Sequence, residues 1–383
     1  MLVHRSLCNT SATPLVFSKL WSLGSPALAD ELSVRFSHQL ERLRRATAAK
    51  QGGPPGRARA NQRALSIMVA LHTDTVAKLQ EALRDRLRST PSESDDGEMG
   101  RARWFSVDSG AALRSVLLDL EGRHSSAAEV TMELVQSNLL PADLCHPFLT
   151  TRISTLMLLQ HHSQLSRVPT SDAGTPRVAA APTLPTLAAA AATEARALAA
   201  VYYSGEIPDV LITDNTASGT ALATVPGFVR YVLVELLKNA LRAVMENSHS
   251  RDQSSSVSLS PIVITIGDDE EAQLVRLTIR DHGNGMTQGD ASRALRRFSG
   301  AHSDHGEIAS DNRLWDRLDD QVSYQPARGP MFGIGVGLAL SRIHAEYLGG
   351  SLEVASWPGE GTLATLELPF GDSGVERIPW SLA

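Results

Sequence analysis

The sequence is poor in several kinds of residue and segment, and each shortage excludes a class of protein. Two cysteines, Cys8 and Cys145, occur in 383 residues, which excludes a disulfide framework and fits a reducing compartment. The 36 lysines and arginines are outnumbered by 42 aspartates and glutamates, so no basic excess indicates nucleic acid as the main partner. No uninterrupted apolar run approaches the roughly 20 residues that cross a bilayer, which predicts that the chain has no transmembrane segment.

Acidic residues are also missing from the first 29 positions. This stretch contains Arg5, Lys19 and seven serines and threonines. A basic, hydroxyl-rich leader without acidic residues is typical of a mitochondrial transit peptide, so we predict one at 1–29 and a location in the mitochondrial matrix. The alternative is a disordered N-terminus, and the stretch lacks the compact apolar core of a secretory signal.

Residues 30–205 have the pattern of a helical domain. Apolar residues recur at helical spacing, and loops rich in proline, glycine or acidic residues separate the segments. Four long helices predict an antiparallel bundle, and the alanine-rich run from Leu187 to Tyr203 predicts a further helix.

Residues 206–371 have a different character. Short β-branched segments predict five strands, at 209–213, 261–267, 274–281, 351–356 and 363–369. Helices are predicted at Pro226–Asn247 and Leu338–Leu348. This order indicates an α/β sandwich with a mixed sheet, so the whole chain is predicted to be an α+β protein of two domains, followed by a tail at 372–383.

The helix from Pro226 carries one narrow polar stripe on an otherwise apolar surface. At roughly 100° per residue, spacings of three and four gather five side chains on one face: Glu235, Lys238, Asn239, Arg242 and Glu246. An amide oxygen at Asn239 suits Mg²⁺, and a carboxylate at Glu235 could take a proton from a hydroxyl group or water. The alternative is an ordinary solvated stripe on a packed helix.

Three glycine motifs follow this helix. Asp281 begins the sequence DHGNGM directly after a strand, where the two glycines allow close approach of a ligand. Gly333 begins GIGVGL at a helix start, where free N–H groups can bind phosphate. Gly359 begins GEGT between two strands. Taken singly, the first and third motifs are also compatible with ordinary turns, and the second is weak evidence.

The order and spacing of these four motifs resemble the GHKL ATPase family, which includes gyrase B, histidine kinases and mitochondrial protein kinases. The resemblance is strongest to the mitochondrial α-ketoacid dehydrogenase kinases. It rests on the stretches ELLKNALRAVME, GPMFGIGVGL and AEYLGGSLE, and on FLTTRISTLMLLQHH at 148–162.

The resemblance implies roles for individual residues in the base pocket. Asn239 would coordinate Mg²⁺, Asp281 would recognise adenine, and Glu235 would be the general base toward a substrate serine. The pocket around the base would be completed by Gly283, Gly285, Met286 and Thr362.

The resemblance also implies which residues would bind the phosphates of ATP. These residues lie around the start of the second predicted helix: Gly333, Gly335, Val336, Gly337 and Leu338. Lys238 and Arg242 would either lie near phosphate or form simple ion pairs on the helix. The family also allows a potassium ion beside the nucleotide, although no residue here identifies its site.

Some positions depart from the family pattern. Pyruvate dehydrogenase kinases usually carry a histidine four residues before the glutamate, and here that position is Tyr231. Tyr231 and the Gly-Pro-Met at 329–331 are closer to branched-chain ketoacid dehydrogenase kinase. Asn284 and His282 replace a usual glycine and arginine, and only Trp380 remains of the C-terminal Asp-Trp pair, which puts the family's mode of dimerisation in doubt.

The predicted function is therefore a MgATP-dependent serine kinase that inactivates the E1 component of branched-chain ketoacid dehydrogenase. The alternatives are a pyruvate dehydrogenase kinase and a non-catalytic ATP-binding regulator; a clamp-type ATPase is disfavoured. The resemblance implies docking on the lipoyl-bearing E2 through the helical domain and a homodimer. The stretch from about 297 to 329 is long, polar and without periodicity, which predicts a mobile lid. His161-His162 is interpreted as a helix-packing pair or a regulatory ligand site, since no histidine-kinase box accompanies it.

Overall fold

The fold is taken from a computed structural model of the chain. It describes residues 25–49, 55–89, 107–136, 139–167, 183–216, 226–250, 259–269, 271–296, 336–369 and 374–378. The chain forms two compact units, one of Met1–Ala181 with Val375–Ala383 and one of Pro182–Gly374. None of the described helices combines the length and the apolar character needed to cross a membrane.

The first unit is helical, as predicted. Its helices are α1 (Ser25–Ala49), α2 (Pro55–Ser89), α3 (Val107–Ser126), α4 (Ala128–Gln136) and α5 (Ala142–Arg167). The four long helices pack together, with α1 against α2, α3 and α5, and α3 against α2 and α5. Side chains such as Leu32, Phe36, Leu40 and Phe148 are fully buried between them.

The first helix begins inside the predicted leader. Ser25 is the first helical residue, and Leu28 and Ala29 are already buried. Residues 25–29 therefore belong to the packed unit because their apolar side chains enter its core. The part of the leader before Ser25 lies outside the described residues, so the transit peptide stays a prediction.

A buried ion pair joins the C-terminal segment to α1. The Nη1 and Nη2 atoms of Arg35 each donate a 2.8 Å hydrogen bond to a carboxylate oxygen of Glu376. The Nε atom of Arg35 donates to Glu31 at 2.8 Å, and the side chains of Arg35 and Glu376 are both 0% exposed. Part of the predicted tail, Val375–Ile378, is thus a component of the helical unit.

The second unit is an α/β sandwich. Its elements in chain order are α6 (Leu184–Tyr202), β1 (Val210–Asp214), α7 (Pro226–Ser250), β2 (Ile262–Asp269), β3 (Leu274–Arg280), α8 (Gln288–Ala294), α9 (Gly337–Tyr347), β4 (Ser351–Trp357) and β5 (Gly361–Pro369). The five strands form one sheet in the order β1-β2-β3-β5-β4. β1 and β2 are parallel and the other pairs are antiparallel, which confirms the predicted mixed sheet.

The pleat of the sheet explains how the helices are positioned. Alternate residues of β2 and β3 are buried, among them Ile264, Ile266, Leu277 and Ile279, because successive side chains point to opposite faces. Helix α7 connects the parallel strands β1 and β2 and packs against β3 and β5. Its polar stripe is thereby carried next to the strand ends that bear the glycine motifs.

Helix α6 differs from its predicted domain assignment. The sequence pattern assigns it to the helical domain ending at residue 205, whereas the second compact unit begins at Pro182. The buried face of α6 consists largely of alanines, including Ala188, Ala191, Ala195 and Ala199. Such small side chains let α6 lie closely against α7, its most extensive contact, and so α6 belongs with the sandwich.

Candidate nucleotide and phosphoryl-transfer site

Glu235 lies on α7 with its carboxylate held by a neighbour on the same helix. The Nζ atom of Lys238 donates a 2.7 Å hydrogen bond to Oε1 of Glu235. The two side chains are 10% and 17% exposed, so the pair is largely shielded from water. Of the two roles considered for Lys238, the ion pair is the one present among the described residues.

The other carboxylate oxygen of Glu235 faces the start of α9. A Cβ atom placed on Gly337 would lie 2.4 Å from Oε2 of Glu235, well inside the van der Waals limit. The absence of a side chain at Gly337 therefore lets the first turn of α9 approach the carboxylate directly. Because the N–H groups of a helix start attract phosphate, this contact places the candidate base beside the candidate phosphate site.

The Asn239 amide lies one turn after Glu235 and is partly exposed. Within the described residues it has no hydrogen-bond partner, so its oxygen is available to a ligand. The same part of the chain contains no cluster of three or more His, Cys, Asp or Glu side chains that could hold a metal. An ion there would need Asn239 together with oxygens from phosphate and water, a donor set that fits Mg²⁺.

Arg242 lies further along the stripe, near another carboxylate. Its Nε atom is 3.9 Å from an oxygen of Glu246, and both side chains are about a third or more exposed. At that distance the two charges attract each other without a hydrogen bond, and the surrounding water screens the attraction.

Asp281 is the buried acid of the site, and it follows directly after β3. Its Oδ1 atom accepts hydrogen bonds from the N–H of Gly283 at 2.9 Å and the N–H of Thr362 at 3.3 Å. Burial raises the pKa of this carboxyl group, and the two N–H donors oppose the rise. Within the described residues no hydrogen bond reaches Oδ2, so that oxygen can accept one from a ligand amine.

Two glycines bring the Asp281 loop into close contact with its surroundings. A Cβ atom on Gly283 would lie 2.5 Å from the Cβ atom of Ala243, so the loop rests directly on α7. Gly285 has φ of 59°, and a Cβ atom there would lie 2.0 Å from the carbonyl oxygen of Trp357. Gly283 permits the close approach, and Gly285 permits both its backbone conformation and its contact with β4.

Ser356 is a supporting residue that the sequence analysis missed. Its Oγ atom accepts a hydrogen bond from the N–H of Met286 at 2.9 Å and lies 2.9 Å from Oγ1 of Thr362. Ser356 is only 4% exposed, and it therefore links two of the predicted site residues from within the sheet. Its position on β4, paired with Thr362 on β5, could have been found only from the strand register.

Asn247 is a second missed residue, at the end of α7. Its Nδ2 atom donates a 3.2 Å hydrogen bond to the carbonyl oxygen of His282. The helix thus contacts the Asp281 loop twice, through Ala243 at Gly283 and through Asn247 at His282.

Other predicted residues are placed as follows. Val336, Gly337 and Leu338 lie at the start of α9, whereas Gly333 and Gly335 are outside the described residues, as is the predicted lid at 297–329. The His162 ring is buried in the helical unit, in line with a packing role; the side chain of its neighbour at 161 is not among those described.

A solvent-open groove of about 480 Å³ lies at one end of the sheet. It is lined by Ser260, Arg280, His282, Gly359 and Glu360, and none of the predicted site residues lines it. Arg280 and His282 precede and follow Asp281 and line the groove, whereas the Asp281 side chain is buried.

Comparison with known proteins supports the assignment of this unit. The profile of the family described as "Histidine kinase-, DNA gyrase B-, and HSP90-like ATPase" matches residues 224–372. This range runs from just before α7 to just after β5, so it contains the Glu235–Asn239 turn and all three glycine motifs.

Several similar proteins bear the name of mitochondrial [pyruvate dehydrogenase (acetyl-transferring)] kinase. One from Arabidopsis thaliana is 34% identical over 156 residues, which is 40% of this chain and 38% of that protein. Isozyme 4 from Mus musculus is 30% identical over 156 residues, and isozyme 4 from Homo sapiens is 29% identical over 158 residues. Each of those two matches covers 40% of this chain and 32% of the relative, so the chain spans well under half the length of the relatives it matches.

These names agree with the alternative prediction, a pyruvate dehydrogenase kinase. They do not indicate closeness to branched-chain ketoacid dehydrogenase kinase, which was the main prediction. Residues 224–372 therefore match the histidine kinase-, DNA gyrase B- and HSP90-like ATPase family, and about 40% of the chain is similar in sequence to proteins named mitochondrial pyruvate dehydrogenase kinase.

Proposed function

We propose that this protein is an ATP-dependent serine protein kinase of the mitochondrial matrix that phosphorylates the E1 component of pyruvate dehydrogenase and thereby inactivates the complex. The observation that supports it best is the contact between Glu235 on α7 and Gly337 at the start of α9. That contact puts a carboxylate next to the helix start at which the γ-phosphate of ATP would end.

The nucleotide would bind between α7 and the glycine motifs. The Oδ2 atom of Asp281 accepts a hydrogen bond from the amine of adenine. The N–H groups at the start of α9 would bind the phosphates, and the Asn239 amide oxygen would hold Mg²⁺. When bound, Mg²⁺ neutralises part of the charge on the phosphates.

The transfer itself needs few groups from the protein. The hydroxyl oxygen of the substrate serine forms a bond to the γ-phosphorus, and the bond from that phosphorus to the bridging oxygen of ADP breaks. Glu235 takes the hydroxyl proton, so the products are phosphoserine and ADP. The hydrogen bond from Lys238 to Oε1 fixes the carboxylate and leaves Oε2 on the side of α9.

The choice of pyruvate E1 over branched-chain E1 comes from the names of the similar proteins. Tyr231 and the Gly-Pro-Met at 329–331, which suggested the branched-chain enzyme, are four positions in all, whereas those similarities extend over 156 to 158 residues. The lipoyl-bearing E2 as docking partner of the helical unit, the homodimer, and a potassium ion beside the nucleotide are further parts of the proposal that rest on the family resemblance alone.

The test is transfer of labelled γ-phosphate from MgATP to pyruvate E1 and branched-chain E1, offered side by side. We expect pyruvate E1 to be labelled faster. Faster labelling of branched-chain E1 would keep the mechanism and overturn the substrate. If ATP binds but neither E1 is labelled, the protein is a non-catalytic regulator.

The role of Glu235 as the general base is tested by Glu235→Gln. The matched control is Glu246→Gln, because Glu246 is an exposed glutamate about three turns further along the same helix. Glu235→Gln should bind ATP as the wild type does and lose transfer by roughly 10²- to 10⁴-fold, the usual contribution of a general base. Glu246→Gln should transfer normally. Undiminished transfer by Glu235→Gln would remove Glu235 from this role.

A further inference from the structure

The hydroxyl group of Ser356 is buried on β4 among three polar groups of the candidate site. Its Oγ atom lies 2.9 Å from the amide nitrogen of Met286, 3.3 Å from the carbonyl oxygen of Gly361 and 2.9 Å from Oγ1 of Thr362. A buried polar group is costly to leave without a partner. We therefore take all three contacts to be hydrogen bonds.

The chemistry of the three neighbours decides the direction of each hydrogen bond. A serine hydroxyl group donates one hydrogen bond and accepts two. The N–H of Met286 can only donate and the carbonyl of Gly361 can only accept, so Ser356 accepts from the first and donates to the second. The single proton of Ser356 is then used, and Thr362 must be the donor in the third contact. The Oγ1 atom of Thr362 is left with its two lone pairs, so it can only accept from a ligand.

The backbone holds the Ser356 hydroxyl group in place opposite Thr362. The two residues face each other in the antiparallel pairing of β4 with β5. At the start of α8, Oε1 of Gln288 accepts from the N–H of Ser356 at 3.4 Å, and Nε2 of Gln288 donates to the carbonyl oxygen of Val354 at 3.3 Å. Ser356 is thus attached on one side to β5 and on the other to α8.

Thr362 lies directly beside the acid that is predicted to recognise adenine. The N–H of Asp281 donates to the carbonyl oxygen of Thr362 at 3.0 Å, and the N–H of Thr362 donates to Oδ1 of Asp281 at 3.3 Å. The Thr362 side chain is partly exposed, so a ligand can reach it. This end of the site therefore offers a ligand two kinds of acceptor, the Oδ2 atom of Asp281 and the Oγ1 atom of Thr362.

We propose that Ser356 is a positioning residue for base selection: it takes the proton of Thr362, and Thr362 then favours a purine with an amine at C6 over one with a carbonyl there. An amine can donate to the acceptors of Asp281 and Thr362, whereas a carbonyl oxygen would meet only lone pairs. This role rests on the nucleotide binding that is part of the proposed function.

The experiment measures the dissociation constants of MgATP and of inosine triphosphate with Mg²⁺, in which a carbonyl replaces the C6 amine, by titration calorimetry on the full chain. Ser356→Ala releases the Thr362 proton, which can then be donated to the carbonyl of the inosine nucleotide. We expect the ratio of the inosine to the ATP dissociation constant to fall by about 2- to 10-fold, the usual effect of one hydrogen bond. Ser351→Ala is the matched control, because it removes a serine hydroxyl from the other end of β4, where it contacts Glu367. The control should leave the ratio unchanged.

The ratio separates base selection from simple support of the loop. If Ser356 only holds the N–H of Met286, both nucleotides lose the same affinity and the ratio does not change. Thr362→Val keeps nearly the same shape without the hydroxyl group, so it should lower the ratio by itself, even if Ser356→Ala fails to fold. In the Thr362→Val background, Ser356→Ala should cause no further change of the ratio, because both changes act through the same hydroxyl group.

The outcomes of these measurements are distinct. An unchanged ratio in either single variant, or a full further fall for Ser356→Ala in the Thr362→Val background, would overturn the role of Ser356 in base selection. A wild-type protein that binds ATP but labels neither E1 would remove the kinase function, and the ratio would still decide the role of Ser356. A folded wild-type protein that binds neither nucleotide would overturn both.

Discussion

The contact between Gly283 and α7 allows a sharp prediction for Gly283→Ala. The new Cβ atom would lie 2.5 Å from the Cβ atom of Ala243 and 2.6 Å from its backbone carbon. Carbon atoms pack at about 3.5–4.0 Å, so the loop must withdraw from the helix by about 1 Å. The backbone of Ala243 is inside a helix and cannot give way by that amount.

The withdrawal has a cost that can be bounded. Overpacking of this kind costs roughly 1–3 kcal/mol. The N–H of Gly283 donates to the Asp281 carboxylate, so moving the loop also displaces the group that is predicted to recognise adenine. If the whole cost falls on the binding-competent conformation, ATP affinity falls by about 5- to 150-fold.

The measurement is the ATP dissociation constant by titration calorimetry, with urea unfolding of the same samples to confirm that they are folded. Gly267→Ala on β2 is the matched control, because a Cβ atom there would meet nothing within 4 Å. It should bind ATP as the wild type does. An ATP affinity of Gly283→Ala within twofold of wild type would refute the contact between the loop and α7.

Three further predictions concern stability. Glu376→Ala removes the carboxylate to which the buried guanidinium of Arg35 donates two hydrogen bonds. The free energy of unfolding of the helical unit should therefore fall by about 3–5 kcal/mol in urea titrations. A loss below about 1 kcal/mol would contradict the buried pair. The Ser341 hydroxyl is buried and has no hydrogen-bond partner in the described part of the chain. Ser341→Ala should therefore leave the free energy of unfolding unchanged or raise it by up to about 1 kcal/mol. A lower Tm for the variant would reveal a partner. Burial lowers the pKa of His72 to about 3 and that of His124 well below its ordinary value, so the unfolded chain binds these protons first. Stability should therefore fall as pH drops from about 6.5 toward 3, by at most roughly 1.4 kcal/mol per pH unit for each histidine, and equal urea midpoints at pH 7 and pH 5 would contradict this.

Much of the fold was predictable because its signals are local. The period of apolar residues predicted the helical region, and β-branched segments predicted all five strands to within a few residues. The predicted helix Pro226–Asn247 corresponds to α7, which ends at Ser250. Each of these elements depends on residues within one or two turns of each other, and such patterns can be read along the chain.

The unit to which α6 belongs was not predictable in this way. Its alanine-rich sequence indicated a helix correctly, but a helix of small residues can pack on many surfaces. Only the close contact with α7 decided that it belongs to the sandwich. The C-terminal segment is a similar case, because Glu376 joins Arg35 across 341 positions of sequence.

The sequence by itself determined which chemical groups the site contains: Glu235 and Asn239 one turn apart on a helix, and Asp281 at a strand end before its glycines. The tertiary structure decided which groups touch. It joined Lys238 to Glu235, set Gly337 against the carboxylate, and linked Met286 to Thr362 through Ser356. The physical reason is that helical and strand periods are set by bonds between near neighbours, whereas these contacts depend on strand register and on how closely α7, α9 and the sheet approach one another.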